Sequence, residues 1–185
     1  MGEVVEIAFV ALVLFLGVRT GVSNFRVQGY SMFPSLHNHE LVLVDKISYS
    51  FTSPHRGDVI VFHPPGYPQR DYIKRVIGVP GDHVDIRNGG VYLNGRRLYE
   101  PYTGSSYARN YRMSVIPYTP GDLVPPGEYF VLGDNRRNSE DSHLWGLLPR
   151  RNIIGRAILT YWPWQNIGIL SDPKVGPSHP GRRSR

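Results

Sequence analysis

Cysteine is absent from the 185-residue sequence. Disulfide bonds, thiolate metal sites and a cysteine nucleophile are therefore all excluded. The absence of cysteine does not tell in which cellular compartment the protein works, because such a chain can work on either side of a membrane. The seven histidines form no HExxH motif, and His37 with His39 alone is a weak ligand pair. We therefore expect neither a metal nor a cofactor.

Long apolar runs are equally scarce, and only one is present. Residues 4–18, VVEIAFVALVLFLGV, are apolar except for Glu6, and with their flanks they approach the ~20 residues that span a bilayer. No cationic stretch precedes the run and no A-x-A-like site follows it, which disfavours a cleaved signal peptide. The sequence predicts one transmembrane anchor at residues 2–22, with a buried core helix as the alternative.

Acidic residues are missing from the tail, residues 173–185, which we expect to be disordered. The tail carries four of the basic residues behind the formal net charge of +6, namely Lys174, Arg182, Arg183 and Arg185. No aromatic residues are interleaved with these charges, so we expect no nucleic-acid binding. Attraction to anionic lipid headgroups is the simpler interpretation.

The remainder of the chain is typical of a loop-rich β protein, with 20 glycines and 16 prolines spread among short apolar runs. Strand-like segments occupy residues 40–49, 57–64, 71–79, 83–98, 128–134 and 153–164. Within the fourth segment, Asn88-Gly89 and Asn94-Gly95 predict tight turns, and hence a hairpin or meander. Residues 99–127 resemble a long excursion with little regular structure.

Three short segments carry side chains suited to catalysis. In GYSMFPSL, Ser31 is either a turn residue or a nucleophile. In DYIKRVIGVPGD, alternation places Lys74 and Arg75 on opposite faces of a strand, so one of the two cations is expected to point inward. Burial lowers a lysine pKa and yields a neutral general base, whereas a solvated lysine has no such role. GDNRRNSEDSHLWG, residues 133–146, adds hydroxyl and carboxylate groups.

The order of four segments behind one apolar run resembles the type I signal peptidases, which are membrane-bound serine proteases with a Ser/Lys dyad. The segments are GYSMFPSLHNHE, RGDVIVFHPP, DYIKRVIGVPGD and GDNRRNSEDSHLWG. The resemblance covers roughly residues 4–164. It implies a mainly β chain, with an antiparallel-sheet catalytic domain at residues 24–170 and a smaller β lobe inserted at about 83–127.

The resemblance also implies roles for individual residues. Ser31 corresponds to the nucleophile and Lys74 to the general base, a variant of the triad in which an amine replaces imidazole. Ser139 corresponds to the hydroxyl that orients the lysine amine, and Asp141 to the acidic residue that supports the site. A further expected pair, Arg75 with Asp134, is structural.

Stabilising the tetrahedral intermediate requires hydrogen-bond donors for its oxyanion. The backbone N–H of Ser31 is the first expected donor. Some relatives add a serine hydroxyl two positions earlier, where this chain has Gly29, so the second donor stays open. His143 stands where many members have arginine, which leaves the partner of Asp141 open as well.

Substrates implied by the resemblance are secretory preproteins, bound as an extended strand and cut after small side chains in an Ala-x-Ala pattern. The residues expected to line this binding site are Val27, Gly29, Tyr30, Met32, Asp71 and Tyr72. We expect a monomer attached to the cytoplasmic membrane by a single pass. Arg19 and Arg26 follow the apolar run, which favours a cytoplasmic catalytic domain. The resemblance implies the extracytoplasmic side, and we adopt that orientation.

Two other functions remain open from the sequence. A self-cleaving repressor would share the Ser/Lys dyad and the strand pattern, but it would be soluble and carry a DNA-binding region. A catalytically silent, membrane-tethered β module that binds peptides would not need both Ser31 and Lys74.

Overall fold

The computed structural model describes residues 2–104 and 122–170. The predicted tail and most of the predicted excursion lie outside the described residues. Three α-helices are present in the described part, α1 Gly2–Gly21, α2 Ser48–Phe51 and α3 Ser142–Trp145. The strands are β1 Val22–Arg26, β2 Leu41–Asp45, β3 Val59–Phe62, β4 Tyr72–Gly78, β5 Val84–Arg87, β6 Gly90–Leu93, β7 Arg96–Arg97, β8 Glu128–Leu132, β9 Leu148–Pro149, β10 Ile153–Trp162 and β11 Gly168–Ile169.

The apolar run forms helix α1, which ends at Gly21 rather than at Val22. Val22 is already the first residue of β1, which pairs with β2 in antiparallel register. Among the described residues, no helix combines the length and the apolar character that crossing a bilayer requires. The anchor predicted at residues 2–22 therefore stays a prediction.

One large antiparallel sheet organises the molecule, as the predicted fold class requires. Its strand order is β1-β2-β10-β3-β4-β8-β9, and β11 pairs with β10 outside this path. Strand β3 is buried along its whole length, and β4 is buried from Ile73 onward. Two core clusters cover opposite faces of this central region, one containing Ile73 and the other Val76. The antiparallel, mainly β architecture is confirmed.

A second, three-stranded sheet with the order β5-β6-β7 begins the segment expected to form the inserted lobe. Asn88-Gly89 and Asn94-Gly95 both have positive φ, the geometry that a tight hairpin turn requires, so the predicted meander is present. Val84, Ile86 and Val91 of this sheet share a core cluster with Phe130 of β8. The small sheet therefore packs directly against the large one.

The strand predicted at residues 40–49 is shorter than expected. Strand β2 ends at Asp45, whose carboxylate accepts hydrogen bonds from the backbone N–H groups of Ile47 (2.8 Å) and Ser48 (3.0 Å). Such local bonds offer the backbone an alternative to the strand ladder. The chain therefore turns into α2, whose Tyr49 packs into the core with Ile60 and Phe62.

Candidate active site

Lys74 and Arg75 are adjacent on β4, and both are buried. Lys74 is 4% exposed and Arg75 is 3% exposed. We expected only one of these cations to point inward, as in a sheet with one solvated face. Because β4 lies between β3 and β8 and is covered on both faces, its alternating side chains all enter the protein.

The Lys74 amine contacts the hydroxyl of Ser31. Nζ lies 2.7 Å from Ser31 Oγ and donates a second hydrogen bond to the carbonyl of Ile73 at 3.0 Å. The ring of Tyr72 lies on the same side, with its centroid 5.0 Å from Nζ. Ser31 and Lys74 are 43 residues apart in the sequence, yet a direct hydrogen bond joins them. A hydroxyl and an amine in this contact are capable of nucleophilic catalysis.

Burial changes the acidity of the amine. Removal from water lowers the pKa of Lys74 from 10.5 to about 8, while the negative charges of Asp141, Glu140 and Asp134 oppose this change. A lysine with this pKa is neutral in about a tenth of the molecules at pH 7, whereas a lysine with the ordinary value is neutral in about one in 3,000. The neutral amine has a lone pair, which is what a general base needs.

The loop that carries Ser31 is held by core packing and by a backbone hydrogen bond. Met32 and Leu36 are 1% exposed and belong to the same core cluster as Ile73. The carbonyl of Ser31 accepts a hydrogen bond from the backbone N–H of Asn135 at 2.9 Å. The nucleophile candidate therefore sits on a rigid support.

Residues 133–141, which we call the polar loop, follow β8 and lie beside Ser31 and Lys74. Asp141 is fully buried and caps α3, and its carboxylate accepts from the backbone N–H of Gly133 at 2.9 Å. The other oxygen contacts Nδ1 of His143 at 2.6 Å. Histidine thus supplies Asp141 with a side-chain partner at the position where an arginine was expected.

Ser139 lies close to the dyad without contacting it. Its hydroxyl is buried and has no hydrogen-bond partner among the described residues. A side chain at Gly133 would collide with Ser139 Oγ and with the carbonyl of Ser31, so these three residues are close-packed. The orienting role of Ser139 toward Lys74 stays a prediction.

Arg75 and Asp134 form a buried ion pair on the opposite face of β4. The two hydrogen bonds are parallel, Nε to Oδ1 at 2.9 Å and Nη2 to Oδ2 at 2.7 Å. Arg75 also donates to the carbonyl of Gly57 at 2.8 Å, and the Tyr102 ring centroid lies 4.4 Å from its guanidinium carbon. This pair anchors the start of the polar loop to the sheet.

A cleft of about 790 Å³ opens over Ser31 and Lys74. Its walls include four of the residues expected to bind substrate, Gly29, Tyr30, Asp71 and Tyr72. Val27 and Met32 are not among them, because both side chains are buried in the core. The backbone N–H of Val27 donates to Glu40 and its carbonyl accepts from His39, so its main chain is occupied as well.

Comparison with known proteins agrees with this geometry. The family described as signal peptidase, peptidase S26, matches residues 1–162. The chain belongs to this family. It is therefore a hydrolase of the signal peptidase I type, a serine endopeptidase, and the resemblance seen in the sequence is confirmed.

Individual relatives span most of the chain. A signal peptidase I of Leptolyngbya laminosa is 44% identical over 172 residues, which is 88% of this chain and 80% of the relative. Signal peptidase IB of Staphylococcus aureus (strain MRSA252) is 33% identical over 181 residues, 92% of this chain and 94% of the relative. A crystal structure of a signal peptidase I from Enterococcus faecalis V583 is 34% identical, covers 57% of this chain and 97% of that chain, and has a TM-score of 0.48.

The second oxyanion donor of the peptidase stays open, and Gly29 offers no side-chain donor. The Gly29 N–H donates to Asn38 Oδ1 at 2.9 Å, so the amide is already engaged. Gly29 has a φ of +90°, a conformation that residues with side chains rarely adopt. The glycine thus gives the chain its direction just before Ser31.

One buried ion pair of the peptidase could not be predicted from the local sequence. Arg136 of the polar loop and Glu100 have fully buried side chains and form an ion pair, in which Nη1 lies 3.2 Å from Oε2. Arg136 Nε also donates to the carbonyl of Gly133 at 2.9 Å. Tyr102, which covers Arg75, donates its hydroxyl to Glu100 at 3.0 Å. Because Glu100 is 36 residues away in the chain, only the fold brings this pair together.

Metal chemistry has no evident support in the described residues. They contain no group of three or more histidine, aspartate or glutamate side chains that could hold a metal ion. The chemistry available at the cleft is that of a hydroxyl, an amine and surrounding carboxylates.

Proposed function

We propose that this peptidase removes N-terminal signal peptides from secretory preproteins, with Ser31 as nucleophile and neutral Lys74 as general base. The observation that carries this proposal is the 2.7 Å hydrogen bond between Ser31 Oγ and the Nζ of a buried lysine whose pKa is lowered to about 8. A solvated lysine would be protonated at neutral pH and could not accept the serine proton.

In the acylation step, Ser31 Oγ attacks the carbonyl carbon of the scissile peptide bond while Lys74 Nζ takes the hydroxyl proton. The carbonyl oxygen becomes an oxyanion, and the backbone N–H of Ser31 is the donor that we assign to it. The carbon–nitrogen bond then breaks as Lys74 returns the proton to the leaving amine. An ester to Ser31 remains, and the mature protein leaves with a free N-terminus.

In the deacylation step, a water molecule replaces the leaving amine. Lys74 takes one of its protons, hydroxide attacks the ester carbonyl, and the second tetrahedral intermediate collapses with the proton returned to Ser31 Oγ. The signal peptide leaves with a new carboxylate. Ser139 and Asp141 act here as supports, Ser139 by orienting the amine and Asp141 by fixing Gly133.

Substrate selection follows from the shape of the cleft. An extended segment would pair with the main chain near Gly29 and Tyr30 on one side and near Asp71 and Tyr72 on the other. Alternate side chains of an extended strand point the same way, so two shallow pockets would select small residues in an Ala-x-Ala pattern. We further propose that the catalytic domain works on the extracytoplasmic side of the cytoplasmic membrane, attached through residues 2–22, where translocated preproteins emerge.

The test is cleavage of a preprotein with an Ala-x-Ala site in detergent micelles, with Ser31→Ala beside the wild type. Ser35→Ala, in the same loop and half-buried, is the matched control. We expect wild type and Ser35→Ala to cut after the second alanine and Ser31→Ala to be inactive. Activity of Ser31→Ala, or an inactive wild type under conditions that support a known signal peptidase, would contradict the proposal.

A further inference from the structure

Three carboxylates act on Lys74, and all three belong to the polar loop. Asp141, Glu140 and Asp134 each favour the charged ammonium form of the amine, against the larger effect of burial. The cleft over Lys74 is also lined by the charged residues Arg26, Arg70 and Asp71, none of which is among the charges that act on the amine. The residue opposite Lys74 on β3 is Ile60, and its neighbour across the Ser31 loop is the uncharged hydroxyl of Ser31.

The three carboxylates differ in what else they bind. Asp134 is fully buried and paired with Arg75. Asp141 is fully buried and bonded to Gly133 and His143. Glu140 is exposed on the cleft wall and forms no ion pair with any described residue. Among the described residues, Glu140 is thus the one of the three carboxylates that has neither an arginine nor a histidine bonded to it.

Glu140 is nevertheless held in place. The Tyr72 hydroxyl donates to Glu140 Oε2 at 2.8 Å, a bond that joins β4 to the polar loop across the cleft. Tyr72 is also the residue whose ring lies 5.0 Å from Lys74 Nζ. Partial burial, and then the bond to Glu140, raise the pKa of Tyr72 against the opposing charge of Arg70, so its hydroxyl stays protonated as a donor. One tyrosine thus contacts both the amine and the unpaired carboxylate.

We propose that Glu140 is a positioning residue that controls how readily Lys74 releases its proton, and that Tyr72 holds it at the distance needed to do so. The inference rests on the proposed function, in which the neutral amine is the base. An anion near Lys74 favours the ammonium, so the peptidase reaches full activity only at a higher pH than it would without Glu140. Because Glu140 is solvated, salt weakens the effect.

The pH dependence of kcat/KM in Glu140→Gln tests this directly. We expect the acidic limb to move to lower pH by roughly 0.2 to 0.7 pH unit at low ionic strength, and by less in about 1 M salt. Tyr72→Phe, which keeps the ring and removes the donor, should move the limb in the same direction. Glu140→Asp should recover part of the wild-type position. A residue with a merely structural role would lower kcat/KM at every pH without moving the limb.

Glu128→Gln is the matched control, because Glu128 is not among the charges that act on Lys74. Its acidic limb should coincide with that of the wild type. A limb that stays in place in Glu140→Gln, while Lys74→Met is inactive, overturns the role of Glu140 and leaves the proposed function standing. An active Lys74→Met overturns the proposed function itself, and the inference with it.

A direct titration of the Lys74 amine further separates the inference about Glu140 from the proposed function. NMR of labelled lysine in Ser31→Ala, with and without Glu140→Gln, reads the amine without any need for activity. We expect the titration of Lys74 to move to lower pH when Glu140 is replaced. An unchanged titration would overturn the inference, whatever the rates show.

Discussion

Lys74 and Arg75 are neighbours on one strand, equally buried on opposite faces, and chemically opposite in their surroundings. Arg75 donates two hydrogen bonds to a carboxylate that is itself fully buried and another to the carbonyl of Gly57. Lys74 has no ion pair among the described residues and bonds only to a hydroxyl and a carbonyl. The same strand therefore buries one cation with a counter-ion and one without.

The difference separates structure from chemistry. A buried cation that is paired keeps its charge and fixes whatever holds its partner, here the first residues of the polar loop. A buried cation that is not paired relieves its desolvation by giving up a proton. Arg75 cannot take the second course, because its guanidinium remains protonated in proteins. Of the two buried cations, only Lys74 can lose its proton and so gain the lone pair that a base needs.

The strongest test of this comparison replaces the unpaired cation. We expect Lys74→Met to lose at least about 1,000-fold in kcat/KM, because no other described group contacts Ser31 Oγ as a base. The fold should be intact, since methionine fills the same apolar space. The measurement is preprotein cleavage, with circular dichroism to check folding. Lys46→Met, at an exposed lysine, is the control and should cleave normally.

The paired cation should show the reverse pattern, a loss of stability. Asp134→Asn leaves the Arg75 charge buried without its counter-ion, and we expect the free energy of unfolding to fall by about 3–5 kcal/mol. Denaturant unfolding measures this. The control is Asp85→Asn, which breaks a partly exposed pair with Arg87 (Nε to Oδ2, 3.3 Å) and should cost less than about 1 kcal/mol. Equal losses in the two variants would refute the contrast between buried and surface pairs.

The unpaired cation should also leave a signature in the pH dependence of stability. The pKa of Lys74 is about 8 in the folded protein, and the unfolded chain has the ordinary lysine value of 10.5. Between these two pH values the unfolded chain therefore binds more protons than the folded protein does. Stability should therefore rise with pH through this window, by about 3 kcal/mol relative to Lys74→Met. Below pH 8 the full penalty of burying the ammonium is present. Parallel profiles for the two proteins would show that Lys74 is not desolvated.

Sequence alone predicted the fold class, the meeting of Ser31 with Lys74, and four of the six residues expected to line the cleft. Period-two alternation and the Asn-Gly turns indicated the strands and the small meander, and four ordered segments brought Ser31 and Lys74 together by resemblance. These signals are local, or are carried by motif order. They required no knowledge of which strands pair.

The parts that could not be predicted depend on contacts between distant segments. Burial of both Lys74 and Arg75 requires a strand covered on both faces, which alternation within β4 does not reveal. The pair of Arg136 with Glu100 joins the polar loop to a residue at the start of the predicted excursion. Glu140 lies in the segment GDNRRNSEDSHLWG, but the effect proposed for it depends on Tyr72, which lies 68 residues earlier in the chain.

Local polar bonding accounts for the remaining differences. The carboxylate of Asp45 ends β2 early by accepting hydrogen bonds from the backbone N–H groups of Ile47 and Ser48. Asn38 engages the Gly29 amide that was left open as an oxyanion donor. In both cases a short polar side chain competes for backbone groups, and residue type alone does not say which backbone group it will bind.

The fully buried pair of Arg136 and Glu100 constrains how this enzyme can be shortened. A deletion before β8 that included Glu100 would leave the Arg136 guanidinium inside the protein without its counter-ion. That guanidinium donates to the carbonyl of Gly133, whose own N–H donates to Asp141, one of the charges that act on the Lys74 amine. A compact version of the peptidase must therefore either retain Glu100 or exchange Arg136 for an apolar side chain in the same step.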